Sequence, residues 1–141
     1  HNTNTQWEVA SKAHGLMNMR VPCAITVGNH DLGPEGKATS RDTEFNKFFP
    51  LADMKRWPTF GGVYDKEPDR AENNYHLFEA GGRKWLVLAL EFGPRDDVLR
   101  WANEEVARHP AHSAVLVTHA YLRPDNSRFD RRILIEASKN K

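Results

Sequence analysis

Asn29, His30 and Asp31 stand in a row at the end of one apolar run, and His119 stands at the end of another. The side chains differ in what they can do. Asn29 offers a neutral amide oxygen able to coordinate a metal, and His30 and His119 offer imidazoles that titrate near neutrality or bind metal through a ring nitrogen. Asp31 offers a carboxylate that could fix the tautomer of a neighbouring imidazole. Residue type alone leaves a second reading open, because Asn and Asp are also common wherever a turn follows a strand.

The elements that must carry these residues can be read around them. Cys23 to Val27 is apolar, Pro22 marks its start, and Gly28 suits a sharp exit where a Cβ would obstruct the chain, so the run reads as a buried strand. Ser113 to Thr118 reads the same way, with Ala114, Val115, Leu116 and Val117 expected to be buried. Each strand ends on a histidine-bearing loop. Both histidines are therefore expected at the carboxyl edge of one sheet, where open α/β sheets bind ligands.

Ahead of the first strand, Thr5-Gln6-Trp7-Glu8 has the form of a capping box. Trp7, Ala10, His14 and Met17 follow at helical spacing, which predicts a helix over about Gln6 to Met19. Asn74 to Glu79 and Lys84 to Glu91 read as two strands joined through Gly81-Gly82. The run Trp85 to Leu90 is almost continuously apolar and predicts an interior strand covered on both faces. After Gly93-Pro94 a helix is expected over Arg95 to Arg108, with Asp96 and Asp97 near its positive end and Val98, Trp101, Ala102 and Val106 buried. His14 and His76 read as structural histidines. Between Leu32 and Asn73 the chain is interrupted by Pro and Gly, and only Asp42 to Phe49 looks helical. A loop this long after a candidate site is often functional, although Phe45, Phe48, Phe49, Trp57, Phe60 and Tyr64 could equally pack a satellite core beneath it.

Composition excludes several classes. The chain has 141 residues, with 20 basic and 19 acidic side chains giving a net charge of +1, so nothing supports long-range steering of nucleic acid or a membrane surface. The short basic run after Asp125 (Arg128, Arg131, Arg132, Lys139, Lys141) reads as a solvated face. The apolar runs are strand-sized and none spans a membrane. A single cysteine rules out an internal disulfide and a cysteine-built zinc site, and Cys23 reads as a small core residue. Localisation is not readable; the expectation is a soluble chain, with export in bacteria left open. No Gly-x-Ser-x-Gly elbow supports a metal-free hydrolase.

Gly28-Asn29-His30-Asp31, after a strand that begins Val21-Pro22, resembles the third signature of the calcineurin-like metallophosphoesterases. Val117-Thr118-His119 resembles the strand end at which that family places a lone metal-binding histidine. Leu90 to Asp97 and His119 to Leu122 look like a bacterial branch. The resemblance implies an α/β fold, a layered α/β/β/α sandwich, with residues 1–141 part of a single domain and 32–73 a long loop insertion near the site. It implies hydrolysis of a phosphate ester, monoester or diester, small or polymeric, at a dinuclear centre of divalent or trivalent iron, manganese or zinc. Asn29 and His119 would bind one metal, His30 would act on the leaving group or the phosphoryl oxygens, and Asp31 would orient the ring of His30. The family's Asp-x-His, Gly-Asp-x-x-Asp and Gly-His-x-His signatures are absent from these 141 residues. The expectation is therefore a central fragment, inactive by itself, of an active parent. A non-catalytic binding module on the same fold is the alternative.

Overall fold

The computed structural model describes residues 3–17, 20–123 and 125–128. Helix α1 spans Asn4–Gly15; α2 (Phe45–Phe48), α3 (Leu51–Met54) and strand β1 (Phe60–Val63) follow. Strands β2 (Asn74–Ala80) and β3 (Arg83–Ala89), helix α4 (Asp96–Arg108) and strand β4 (His112–Val117) complete it. Together they form a mixed α/β fold, as expected, whose four-stranded sheet has the order β1-β2-β3-β4.

Strands β2 and β3 form the hairpin expected about Gly81-Gly82, in unbroken register from Asn74↔Ala89 to Ala80↔Arg83. Strand β3 is interior. It pairs in parallel with β4 from Lys84↔His112 to Ala89↔Val117, and the crossover between them is α4. Residues Leu86, Leu88 and Leu90 at the carboxyl end are almost wholly buried against Val98, Trp101, Ala102 and Tyr64. The stripe on α4 continues to Glu105 and not to the expected Val106, which is 39% exposed. The helical period explains this, because positions i, i+3, i+4 and i+7 from Val98 end on residue 105. Glu105 is buried beside Arg108, its partner one turn on.

Three further expectations are corrected. Among the described residues Cys23 to Val27 is not a strand and pairs with none. Both edges of β2 are already occupied by β1 and β3, so the segment is tied instead through side chains. The Asn74 amide donates to the Ile25 carbonyl at 2.8 Å, and the Thr26 hydroxyl donates to the Glu72 carbonyl at 2.7 Å. Second, β4 is an edge strand and not a central one, for among the described residues its only ladder is with β3. Val115, Leu116 and Val117 are accordingly 40%, 54% and 37% exposed. Third, α1 starts two residues before the expected site. Thr3 is its cap and closes a box with Gln6, whose Oε1 accepts from Thr3 N at 3.1 Å. The Thr-x-x-Gln pattern beginning at Thr3 serves as well as the one beginning at Thr5. Of the expected stripe, Trp7 is buried and Ala10 and Met17 are exposed, while Met19 lies outside the described residues.

The segment between the candidate turn and β2 has more structure than its composition suggested. The helix expected over Asp42 to Phe49 is the single turn α2, and Phe60–Val63 is a strand despite its two glycines. Its aromatics form a second core: Phe45 is buried with Trp7, Val27, Leu32, Met54 and Ala71, and Phe48, Phe49 and Phe60 pack around them. His14 stands edge-on to Phe49 at 5.3 Å, and buried His76 meets the Thr59 hydroxyl at 3.0 Å through Nδ1. Both histidines are structural, and burial pushes the His76 imidazole down from its usual range.

Tyr64 joins the two layers. Its hydroxyl donates to Asp97 Oδ2 at 2.6 Å beneath α4. Burial and the adjacent carboxylate push the phenol up to about 12. An unfolded tyrosine ionises near pH 10, so between pH 10 and 12 the unfolded chain sheds a proton that the folded chain keeps. Stability is therefore expected to fall as pH rises through that window. Thermal unfolding of the wild type and of Tyr64→Phe from pH 9 to 12 checks it: the variant should lose the part of the alkaline slope that Tyr64 supplies, and identical slopes would refute the assignment.

Candidate functional site

Val27 is wholly buried and Leu32 nearly so, and between them the chain makes one turn of 3-10 helix, Asn29–Asp31. The turn is laced by its own residues. Asp31 Oδ2 accepts from Gly28 N at 2.7 Å, and Asp31 N donates to Gly28 O at 3.2 Å. Asp31 thus closes the loop on which its neighbours stand. Among the described residues no hydrogen bond joins it to His30, so the ring-orienting contact expected for Asp31 is not formed here. Gly36, at φ +66°, lets the following turn press on the first: a Cβ there would lie 2.4 Å from the His30 carbonyl oxygen. With its ends anchored in the core, the turn leaves Asn29 half-buried and His30 exposed.

His119 follows β4 and reaches this turn. A Cβ at Gly28 would lie 3.1 Å from His119 Nδ1, closer than side chains normally approach, so the glycine makes room for the imidazole beside Asn29. Phe92 holds the ring from another side, edge-on at 5.8 Å. The two segments singled out in the sequence therefore meet, although only β4 belongs to the sheet. Asn29, His30 and His119 make no side-chain hydrogen bond among the described residues, which leaves an amide oxygen and two imidazoles for a ligand.

Around them lies a set of paired charges that the sequence did not reveal. Glu91, 4% exposed, accepts from Arg95 Nε at 2.8 Å and Asn73 Nδ2 at 3.1 Å, with Arg41 Nη1 at 3.7 Å. Arg95 also forks onto Glu67 at 2.9 and 2.6 Å. The Glu67 bond, then that to Glu91, raises the already high pKa of Arg95, and the same bond lowers Glu67. Arg70 pairs with buried Glu72, which also accepts from Asn46 at 3.0 Å. The segment from Leu32 to Asn73 is therefore clamped to the end of β3 by charge-assisted bonds. No periodicity marks the long-range pairs, because Glu67 and Arg95, like Arg41 and Glu91, lie on segments remote in sequence. A separate cavity of about 120 Å³, lined by Ser11, His14, Cys23, Phe49, Met54 and Trp57, opens at the far end of the Cys23 to Val27 segment.

An amide oxygen with imidazole nitrogens suits iron, manganese or zinc. Asn29 and His119 carry donor atoms of the kind such an ion takes. They do not complete a dinuclear centre, and among the described residues no three His, Cys, Asp or Glu side chains gather as a metal site. The chain matches the calcineurin-like phosphoesterases over residues 1–138. It belongs to that family. The chain is also 25% identical over 118 residues to YvnB, an uncharacterized protein of Bacillus subtilis (strain 168). That match takes in 83% of this chain and 9% of YvnB, so the chain spans less than a tenth of the relative's length. No solved structure matches it. No helix among the described residues is long and apolar enough to cross a membrane.

Proposed function

We propose that the full-length protein carrying this chain hydrolyses phosphate esters with metal bound in part by Asn29 and His119, and that His30 acts on the substrate. The observation that carries the reading is the seating of the His119 imidazole against Gly28, beside an Asn29 amide and a His30 ring that have no hydrogen-bond partner among the described residues. A dinuclear centre needs ligands beyond these two, and the proposal assigns those to parts of the protein outside the described residues. Bound metal would supply charge neutralisation at the phosphoryl oxygens and activation of water.

This chain's own residues have narrower tasks. Asn29, half-buried on the Asp31-laced turn, presents an amide oxygen, and Gly28 leaves space for His119 to present a nitrogen beside it. His30, exposed at the apex, can reach a substrate standing over the edge and deliver a proton to the departing alkoxide. Small or polymeric phosphate esters are the proposed substrates, and iron, manganese and zinc the candidate ions.

The test is metal content beside hydrolysis of a chromogenic phosphate ester by the full-length protein. Asn29→Ala and His119→Ala should each lower bound metal at one site, with activity falling in step and partly restored by excess metal. A protein that binds metal fully but cleaves no ester would instead be a binding module on this fold. Unchanged metal content in both variants would overturn the ligand assignment.

A further inference from the structure

Arg41 lies in the long segment between the candidate turn and β2, ten residues after Asp31, and its guanidinium reaches the carboxyl end of β3. There it donates through Nη1 to the carbonyl of Phe92 and through Nη2 to the carbonyl of Gly93 at 2.7 Å. A planar fork with fixed geometry is suited to two successive carbonyls, and a lysine ammonium is not. The arginine is itself held. Its carbonyl accepts from Arg70 Nη2 at 3.1 Å, and its charge faces Glu91 at 3.7 Å. Phe92 is thus held through its backbone, and its ring stands against the His119 imidazole, which also lies close to Gly28. No hydrogen bond among the described residues orients His119. Ring packing is what remains to set where its nitrogens point.

We propose that Arg41 is a positioning residue for His119: by clamping the Phe92 and Gly93 carbonyls it holds the Phe92 ring in place, and that ring holds the imidazole at the site edge. The consequence for metal rests on the reading of His119 as a ligand; the consequence for the ring itself does not. Outer partners that orient a ligand typically contribute 10- to 100-fold in metal affinity. Arg41 touches neither metal nor substrate in this scheme and acts through Phe92.

The experiment uses full-length protein labelled with 13C at histidine Cε1, with the His119 resonance identified by its loss in His119→Gln. Arg41→Met and Phe92→Leu should both move that resonance toward the position of a freely exposed imidazole, with Arg41→Lys, which can hold one carbonyl at a time, falling between. Zn2+ alone, titrated against a chelator, should bind about tenfold or more weakly to Arg41→Met and Phe92→Leu at temperatures well below unfolding. If Arg41→Met does not fold, Arg41→Lys decides, since it keeps the charge facing Glu91. An unmoved resonance in a folded Arg41 variant overturns the proposal. If His119→Gln leaves Zn2+ affinity unchanged, the ligand reading fails, and the resonance still decides the positioning role.

Discussion

His30→Ala in the full-length protein is expected to keep its metal and to lose about a hundredfold to ten-thousandfold in rate on esters with poor leaving groups, the range typical of a lost general acid. Its imidazole stands exposed at the apex of the turn with no hydrogen-bond partner among the described residues. Nothing in the fold depends on it, so the loss should appear in rate and not in stability. The cost should shrink for a nitrophenyl ester, whose anion departs without a proton. Metal analysis beside kinetics on a good and a poor leaving group separates the roles. Loss of metal would make His30 a ligand; equal slowing of both esters would make it a stabiliser of the phosphoryl oxygens.

Glu91→Ala is expected to cost about 3 kcal/mol of stability, the low end of what breaking a buried ion pair costs. The carboxylate is 5% exposed and faces Arg95 at 2.8 Å and Arg41 at 3.7 Å, whose side chains are 33% and 26% exposed. Removing it leaves two cations facing each other across a hole. Their partial access to water, and the second partner of Arg95 in Glu67, keep the cost from being larger. The asparagine that accepts from Glu91 N at 2.9 Å and donates to its carboxylate would lose one of those bonds too. Denaturant unfolding measures the difference, and Glu91→Gln, which keeps the shape without the charge, should recover part of it. A loss under about 0.5 kcal/mol would mean that water screens these charges as it does on a surface. Because the same carboxylate faces Arg41, this variant should also loosen the clamp on Phe92.

The parts of the fold legible in the sequence were those that local pattern specifies. Alternation and two glycines marked the β2–β3 hairpin, and the apolar run from Trp85 to Leu90 marked β3 as interior. The period of α4 placed Val98, Trp101 and Ala102 inward. The turn Gly28 to Asp31 was legible because its chemistry is contiguous, and His119 because it ends a strand that must finish at the same edge as β3.

Pairing and long reach were decided only by the tertiary structure. Cys23 to Val27 has the composition of a strand, but a ladder needs a free edge beside it, and β1 and β3 already flank β2. The apolar residues of β4 looked buried because composition reports what a side chain prefers and not what stands next to it. Val115 to Val117 are exposed for want of a neighbour among the described residues. Arg41 carries no signal at all, since its partners Phe92 and Gly93 lie 51 and 52 residues away, and a flexible side chain reveals its target only once the backbone has brought it near. The residue types that could do chemistry were a property of the sequence; the packing of Phe92 and Gly28 on His119 that makes them one site belongs to the folded chain, because only there do segments remote in sequence share a surface.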